Sequence, residues 1–222
     1  MREIVFDTET TGLDPDDGHR VVEIGCVELH NHVPTGRSAQ WYINPERDMP
    51  DDAFHVHGLS ESFLADKPVF ASIADEFVEF VGDARLIAHN ARFDLKFLNA
   101  ELAAVGRPPL DRAQTVDTIT LAREKFPGAQ YSLDALCRRF DIDLTRRDKH
   151  GALLDAELLA EVYLELVGGR QPGLTLVATA VADQVPVAER DIRPPRPHAA
   201  SADELKAHAA FVASLKDPLW SR

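Results

Sequence analysis

Four acidic residues and one histidine, carried by three widely separated segments, constrain this 222-residue chain more than any single stretch does. Asp7 and Glu9 sit in VFDTETTG, Asp94 in HNARFD, and His150 and Asp155 in HGALLD. The segment IVFDTE reads as a strand, and side chains two apart share one face of a strand. Asp7, Glu9 and Val5 therefore project together, with the carboxylates about 7 Å apart along the chain. Ile4, Phe6 and Thr8 point the other way.

The rest of the pattern supplies a frame for these groups. Residues 22–30 read as a second strand, with Val22, Ile24, Cys26 and then Glu28 on one face and Val27 and Leu29 on the other. The intervening GLDPDDGHR is a turn, and AQWYINP predicts a third strand stopped by Pro45. Helical spacing follows in SESFLADKP and in VFASIADEFVEFV, where Phe70, Ile73 and Phe77 recur at the helical period. ARLIAHN is a short strand running into the helix RFDLKFLNAELAAVG, which Gly106 and Pro108 end. Thr115 to Asp117 form a last strand before the helix TITLAREKF. SLDALCRRF opens on Ser132 as N-cap, and LLDAELLAEVYLELVGG is a long helix closed by glycines. A strand meander followed by strands alternating with helices predicts an α/β fold, a mixed sheet with helices on both faces.

After residue 169 the character changes. Residues 171–222 carry six acidic and six basic residues, so the preceding part holds the whole net charge of -13. DIRPPRPH predicts a semi-extended linker, and SADELKAHAAFVASL a helix with Ser201 as N-cap and Glu204 completing a capping box. The expected division is a domain over 1–169, a linker over 170–200 and a terminal segment over 201–222. Cys26 and Cys137 read as buried thiols of a reducing compartment and match no zinc cluster. With neither a basic, apolar leader nor an apolar run of 18 residues, the expectation is a cytoplasmic protein with no membrane association.

So acidic a chain does not hold a duplex by charge alone. The carboxylates suit another task. Asp7 and Glu9 are hard oxygen ligands of the kind that hold two Mg2+ or Mn2+ ions, and such a pair of ions assists hydrolysis of a phosphodiester. Asp94, at the start of its helix, is placed to coordinate metal without blocking the core. Thr10 and its neighbours offer hydroxyls and backbone to a terminal nucleotide. On one unbroken helix His150 and Asp155 would lie about 140° apart. Gly151 splits the pair, so that Asp155 faces inward from the second turn while His150 folds over the same cavity. Histidine ordinarily titrates near 6.5, which suits a general base for water.

DTETTG, HNARFD and HGALLDAE together resemble the three motifs of the DEDDh 3'-to-5' exonucleases, over roughly residues 2–169. The resemblance implies a ribonuclease-H-like fold with a five-stranded sheet. It assigns metals to Asp7, Glu9, Asp94 and Asp155, and water activation to His150. It also points to Asp52 and His57 beside the terminal nucleotide, although the family usually has Glu where Asp52 stands. Leu13 and Val56, short apolar groups in loops, and Phe93 suit a wedge between terminal bases. Core packing suits Phe54.

VVEIG, FHVHGL, FLADKP and FPGAQYSLDALCRRFDI extend the likeness to family members that proofread for replicative DNA polymerases. Gln171, Leu174 and Leu176 resemble a sliding-clamp-binding peptide. Phe211, Leu215, Leu219 and Trp220 resemble a segment that docks on the polymerase subunit. The same likeness leaves room for a small accessory subunit. The implied function is removal of nucleotides from a DNA 3' end. A freestanding exonuclease acting on RNA or oligoribonucleotides, and a non-catalytic clamp–polymerase adaptor, are the alternatives.

Overall fold

Two apolar faces on one set of strands demand two covering layers, and the computed structural model builds both. It describes residues 1–145, 147, 149–168 and 199–216. The chain divides into two units, Met1–Thr175 and Leu176–Arg222. In the first, β1 (Arg2–Thr10), β2 (Val21–His30) and β3 (Val33–Tyr42) form an antiparallel meander. β4 (Arg85–Ala88) pairs parallel with β1, and β5 (Thr115–Asp117) pairs parallel with β4. The sheet order is β3-β2-β1-β4-β5.

Alternation along β1 sends Ile4 and Phe6 into one core and Val5 into the other. The first core is closed by α3 (Phe70–Val81) and α4 (Ala91–Ala104), through Phe70, Phe77, Phe97 and Leu98. The second is closed by α5 (Thr118–Lys125), α6 (Leu133–Arg139) and α7 (Ala152–Val167), through Ala122, Leu136, Leu159 and Tyr163. This is the ribonuclease-H-like arrangement expected above. Short helices α1 (Asp51–His57) and α2 (Glu61–Leu64) join β3 to α3. No helix among the described residues is long and apolar enough to cross a membrane.

Four expectations are corrected. Val21, rather than Val22, packs with Ile24 and Cys26, because Glu9 opposes Glu23 while Thr10 opposes Val21. The extra residue is a β-bulge, and it inverts the alternation at that point. β3 begins at Val33, six residues before the expected Ala39, and ends at Tyr42. Its first half, VPTGR, is exposed throughout, as an outer strand permits, so hydrophobic alternation gives no sign of it there. Val56 lies on α1 rather than in a loop. Phe54, on the same helix, is exposed instead of core-packed, with the Lys149 ammonium 5.1 Å from its ring centre.

In the second unit α8 (Ala202–Ser214) opens on Ser201, whose hydroxyl accepts from the Glu204 N–H while the Glu204 carboxylate accepts from the Ser201 N–H. Phe211 and Leu215 are exposed. Gln171, Leu174, Leu176, Leu219 and Trp220 lie outside the described residues.

Candidate active site

Three elements from two layers deliver the acidic groups to one cleft. β1 supplies Asp7 and Glu9 on the face that α7 covers, and α7 supplies Asp155. α4, from the opposite layer, supplies Asp94. Asn90 makes that delivery possible, since its left-handed backbone (φ 67°) turns the chain sharply from β4 into α4. The Thr8 hydroxyl then donates to Asp94 Oδ1 at 2.7 Å and fixes the carboxylate. The cleft, about 420 Å3, is lined by all four carboxylates together with His89, Phe93, Asp134, Arg147 and His150.

α7 reaches this position because of β2. Asp7 opposes Gly25 in the sheet. A Cβ on Gly25 would stand 2.2 Å from backbone atoms of Ala152 and Leu153. The first turn of α7 therefore rests directly on the glycine. No side chain at the N-cap residue, Gly151, closes the helix. Instead the buried Glu23 carboxylate of β2 accepts from the backbone N–H groups of Ala152 and Leu153, and from Gln40 Nε2 at 2.7 Å. Asp155 consequently sits in the first turn of α7, where the sequence predicted the second. His150 precedes the helix, as the Gly151 split requires, and its N–H donates to the Val56 carbonyl of α1.

Glu9, Asp94 and Asp155 are buried and Asp7 is half-buried. One ligand atom from each of Glu9, His150 and Asp155 lies within 4.8 Å of the others, a candidate metal cluster. Burial, then the charges of Asp94, Glu9 and Asp155, pushes the Asp7 carboxyl well above its ordinary range. Burial, then Asp155, Glu23 and Asp94, raises Glu9 to about 8. Asp94 rises to about 7, burial outweighing the hydrogen bond from Thr8. Glu9 Oε1 is buried with no hydrogen-bond partner among the described residues. Carboxyls that resist ionisation and keep an unused oxygen are poorly served by their protein neighbours and well suited to a divalent cation.

Asp155 behaves differently. Burial favours its neutral form, but hydrogen bonds from Arg147 and His150 outweigh this and hold it below the usual carboxylate range. Arg147 Nε donates to Asp155 Oδ1 and a terminal nitrogen to Oδ2, both at 2.6 Å. Its other terminal nitrogen bonds Asp134. Arg147, Asp134 and Glu23 are polar residues of the site that sequence reasoning missed. None of them stands in one of the three motifs, so none carries a local signal.

Among the candidate substrate contacts, Phe93 alone lines the cleft. The Thr10 hydroxyl is committed to the Gly12 carbonyl at 2.6 Å, leaving backbone rather than hydroxyl to offer. His57 is buried, accepts from the Leu59 N–H on Nδ1, and keeps Nε2 without a partner among the described residues. Leu13 and Val56 are exposed, at 84% and 48%, and Asp52 is exposed on α1. His89 and Asn90 make local bonds, His89 Nδ1 with the Thr118 hydroxyl and the Asn90 N–H to Asp117. Cys26 and Cys137 are buried free thiols.

An exonuclease family model matches residues 4–163. The DNA polymerase III subunit epsilon of Rickettsia conorii is 58% identical over 180 residues, covering 80% of this chain and 78% of that protein. The corresponding subunit of Pasteurella multocida is 40% identical over 228 residues, covering 96% of this chain and 89% of its own length. Exonuclease X, solved with 5' overhanging duplex DNA, superposes with a TM-score of 0.59 at 25% identity, over 75% of this chain and 91% of that one. The chain belongs to the DEDDh family of metal-dependent 3'-to-5' exonucleases and is closely related to DNA polymerase III epsilon subunits.

Proposed function

We propose that this chain is the proofreading subunit of a replicative DNA polymerase and removes nucleotides singly from DNA 3' ends. The observation that carries the chemistry is the convergence of Asp7, Glu9, Asp94, Asp155 and His150 on one cleft from three segments. Asp7, Glu9, Asp94 and Asp155 would hold two Mg2+ or Mn2+ ions. Bound there, the ions supply positive charge that stabilises the attacking and leaving oxygens. His150, at the mouth of the cleft and half-exposed, takes the proton from the attacking water. The water oxygen bonds to phosphorus, the bond from phosphorus to the preceding O3' breaks, and a nucleoside 5'-monophosphate leaves. The preceding O3' takes a proton and becomes the new end.

Phe93 at the cleft wall is suited to packing against the terminal base. Leu13 and Val56, exposed and apolar, fit the wedge role, with Thr10, Asp52 and His57 completing the nucleotide's surroundings. A frayed, mismatched end costs least to thread into such a site, so selectivity need not require reading a base. An acidic chain needs another subunit to grip the duplex. The relative from Pasteurella supports a tail with a shared purpose, since an alignment over 96% of this chain must run past residue 169. In this reading Gln171, Leu174 and Leu176 bind the sliding clamp, and Phe211, Leu215, Leu219 and Trp220 dock on the polymerase subunit.

One comparison tests the assignment: purified chain with matched and mismatched 3' DNA ends and with single-stranded RNA, with and without Mg2+. Mg2+-dependent release of 5'-monophosphates, fastest from mismatched DNA, is expected. Preference for RNA would replace the proofreading role with RNA trimming.

A further inference from the structure

Among the described residues Asp155 is the one carboxylate of the four that is ion-paired with an arginine or lysine, Arg147. The Arg147 guanidinium covers both of its oxygens at 2.6 Å. The same guanidinium lies 2.9 Å from His150 Nδ1 and pairs with Asp134 on its far side. The Arg147 side chain is only 9% exposed, whereas Asp134 is 40% exposed. One side chain thus engages the ligand contributed by α7 and the proton acceptor together, inside the cleft they share. Fork-shaped, permanently charged and bidentate, a guanidinium is the protein group that best imitates a cation for a carboxylate.

We propose that Arg147 is a resident counter-cation for Asp155, which it surrenders to the divalent ion, so that metal binding and release of the arginine are a single exchange. The inference rests on the metal-holding role argued above for the carboxylates. The geometry makes exchange the natural outcome. The guanidinium takes a lone pair on each oxygen and its charge repels a divalent ion at the same carboxylate, so the two cations compete, and Asp134, at the more exposed end, gives the arginine an anion to keep as it withdraws. His150 is freed by the same movement, because in the tautomer protonated on Nε2 its Nδ1 accepts from the arginine, leaving no nitrogen of the ring open to a proton. Arg147 is a positioning residue in this scheme. It touches neither water nor phosphate, and sets when Asp155 and His150 become available.

Competition and support predict opposite signs. If Arg147 competes with the ion, Arg147→Gln in the full chain binds Mn2+ roughly tenfold more tightly by calorimetry, the scale of one charge-assisted pair no longer broken on binding. The same variant melts at a lower temperature without metal. If the arginine merely props up the loop, the variant binds Mn2+ more weakly. Affinity equal to or weaker than wild type, with a native circular dichroism spectrum, overturns the proposal. Should Arg147→Gln not fold, Arg147→Lys decides: lysine keeps the charge but cannot bridge both oxygens, so affinity is expected between wild type and ten times tighter, and a loss of affinity again overturns the exchange. Asp7→Ala is the control on the underlying reading. If it binds Mn2+ as wild type does, the metal assignment itself fails, whatever the arginine variants do.

Discussion

At the scale of single residues the cleft gathers Asp7, Glu9, Asp94 and Asp155, and among the described residues only Asp155 is paired with an arginine or lysine. Two consequences can be measured. Asp7→Ala and Asp155→Ala are expected to lower hydrolysis at least a thousandfold in Mg2+ without loss of fold, since Asp7 is a carboxyl whose ionisation the site resists and loss of Asp155 leaves Arg147 paired with Asp134. A rate within tenfold of wild type for either would remove it from the metal set. His150→Gln should cost roughly a hundredfold or more, the range of a lost general base; an unchanged rate and pH profile would take His150 out of the reaction.

The second consequence is a pH dependence of stability. Glu9 and Asp94, at about 8 and about 7, bind protons in the folded protein that they do not bind when unfolded. Between the unfolded carboxyl range near 4 and pH 8, the native state therefore holds more protons, and stability falls as pH rises. Asp155, shifted downward, contributes the opposite sign, but only in acid below that window. The metal-free protein should melt several degrees lower at pH 8 than at pH 6, and Mg2+ should raise the melting temperature more at pH 8. A melting temperature that climbs across this interval without metal would contradict the stated environment of Glu9 and Asp94. The five acidic and histidine groups were legible in the sequence because each stands in a short motif with its own local reason. Arg147 was not, since its role exists only once the loop before α7 lies across the cleft.

Elements were legible where periodicity is strong. α3, α4 and α7, and the buried strands β1 and β4, follow from apolar spacing alone. β3 was half hidden because an outer strand need bury little, and α1 was missed because seven residues with three acids or histidines on exposed positions show no apolar face. The bulge at Val22 cannot be read from alternation, which it interrupts. Gly25 is the element-scale counterpart of the acidic residues of the cleft. It has no chemistry, yet it sets how closely α7 approaches β1 and so where Asp155 stands relative to Asp7. Gly25→Ala puts a methyl group 2.2 Å from the backbone of α7, and backbone cannot yield as a flexible side chain does. The expected cost is roughly 3 kcal/mol, with activity falling further than stability explains. Chemical denaturation beside a nuclease assay at a temperature where the variant is fully folded separates the two. A variant as stable and active as wild type would mean that α7 docks by other contacts.

At the scale of the whole molecule, charge and apolar surface are distributed by unit. The net charge of -13 falls entirely before residue 171, on the part that must meet a polyanion, while the remainder is neutral and carries apolar groups it does not bury. Phe211, 60% exposed, and Leu215 lie on and just beyond α8, a helix whose capping box gives it a defined start but which has no buried residue of its own. Such a helix draws little stability from a core of its own and offers its apolar side chains to a partner. The proline-rich sequence that precedes this helix is suited to an extended linker. Docking must then offset the entropy of ordering this tail, so a few large apolar anchors are expected to dominate the affinity. Trp220, the largest, should cost about 2 kcal/mol or more when replaced by Ala. Truncation after Gly169 is expected to leave hydrolysis of short single strands within twofold of wild type while abolishing capture by the replicative polymerase subunit. Calorimetric titration of the truncated protein, run beside a nuclease assay on the same sample, reads both. Polymerase affinity that survives truncation would move the interface onto the catalytic unit, and nuclease activity lost with the tail would make that segment part of the enzyme itself.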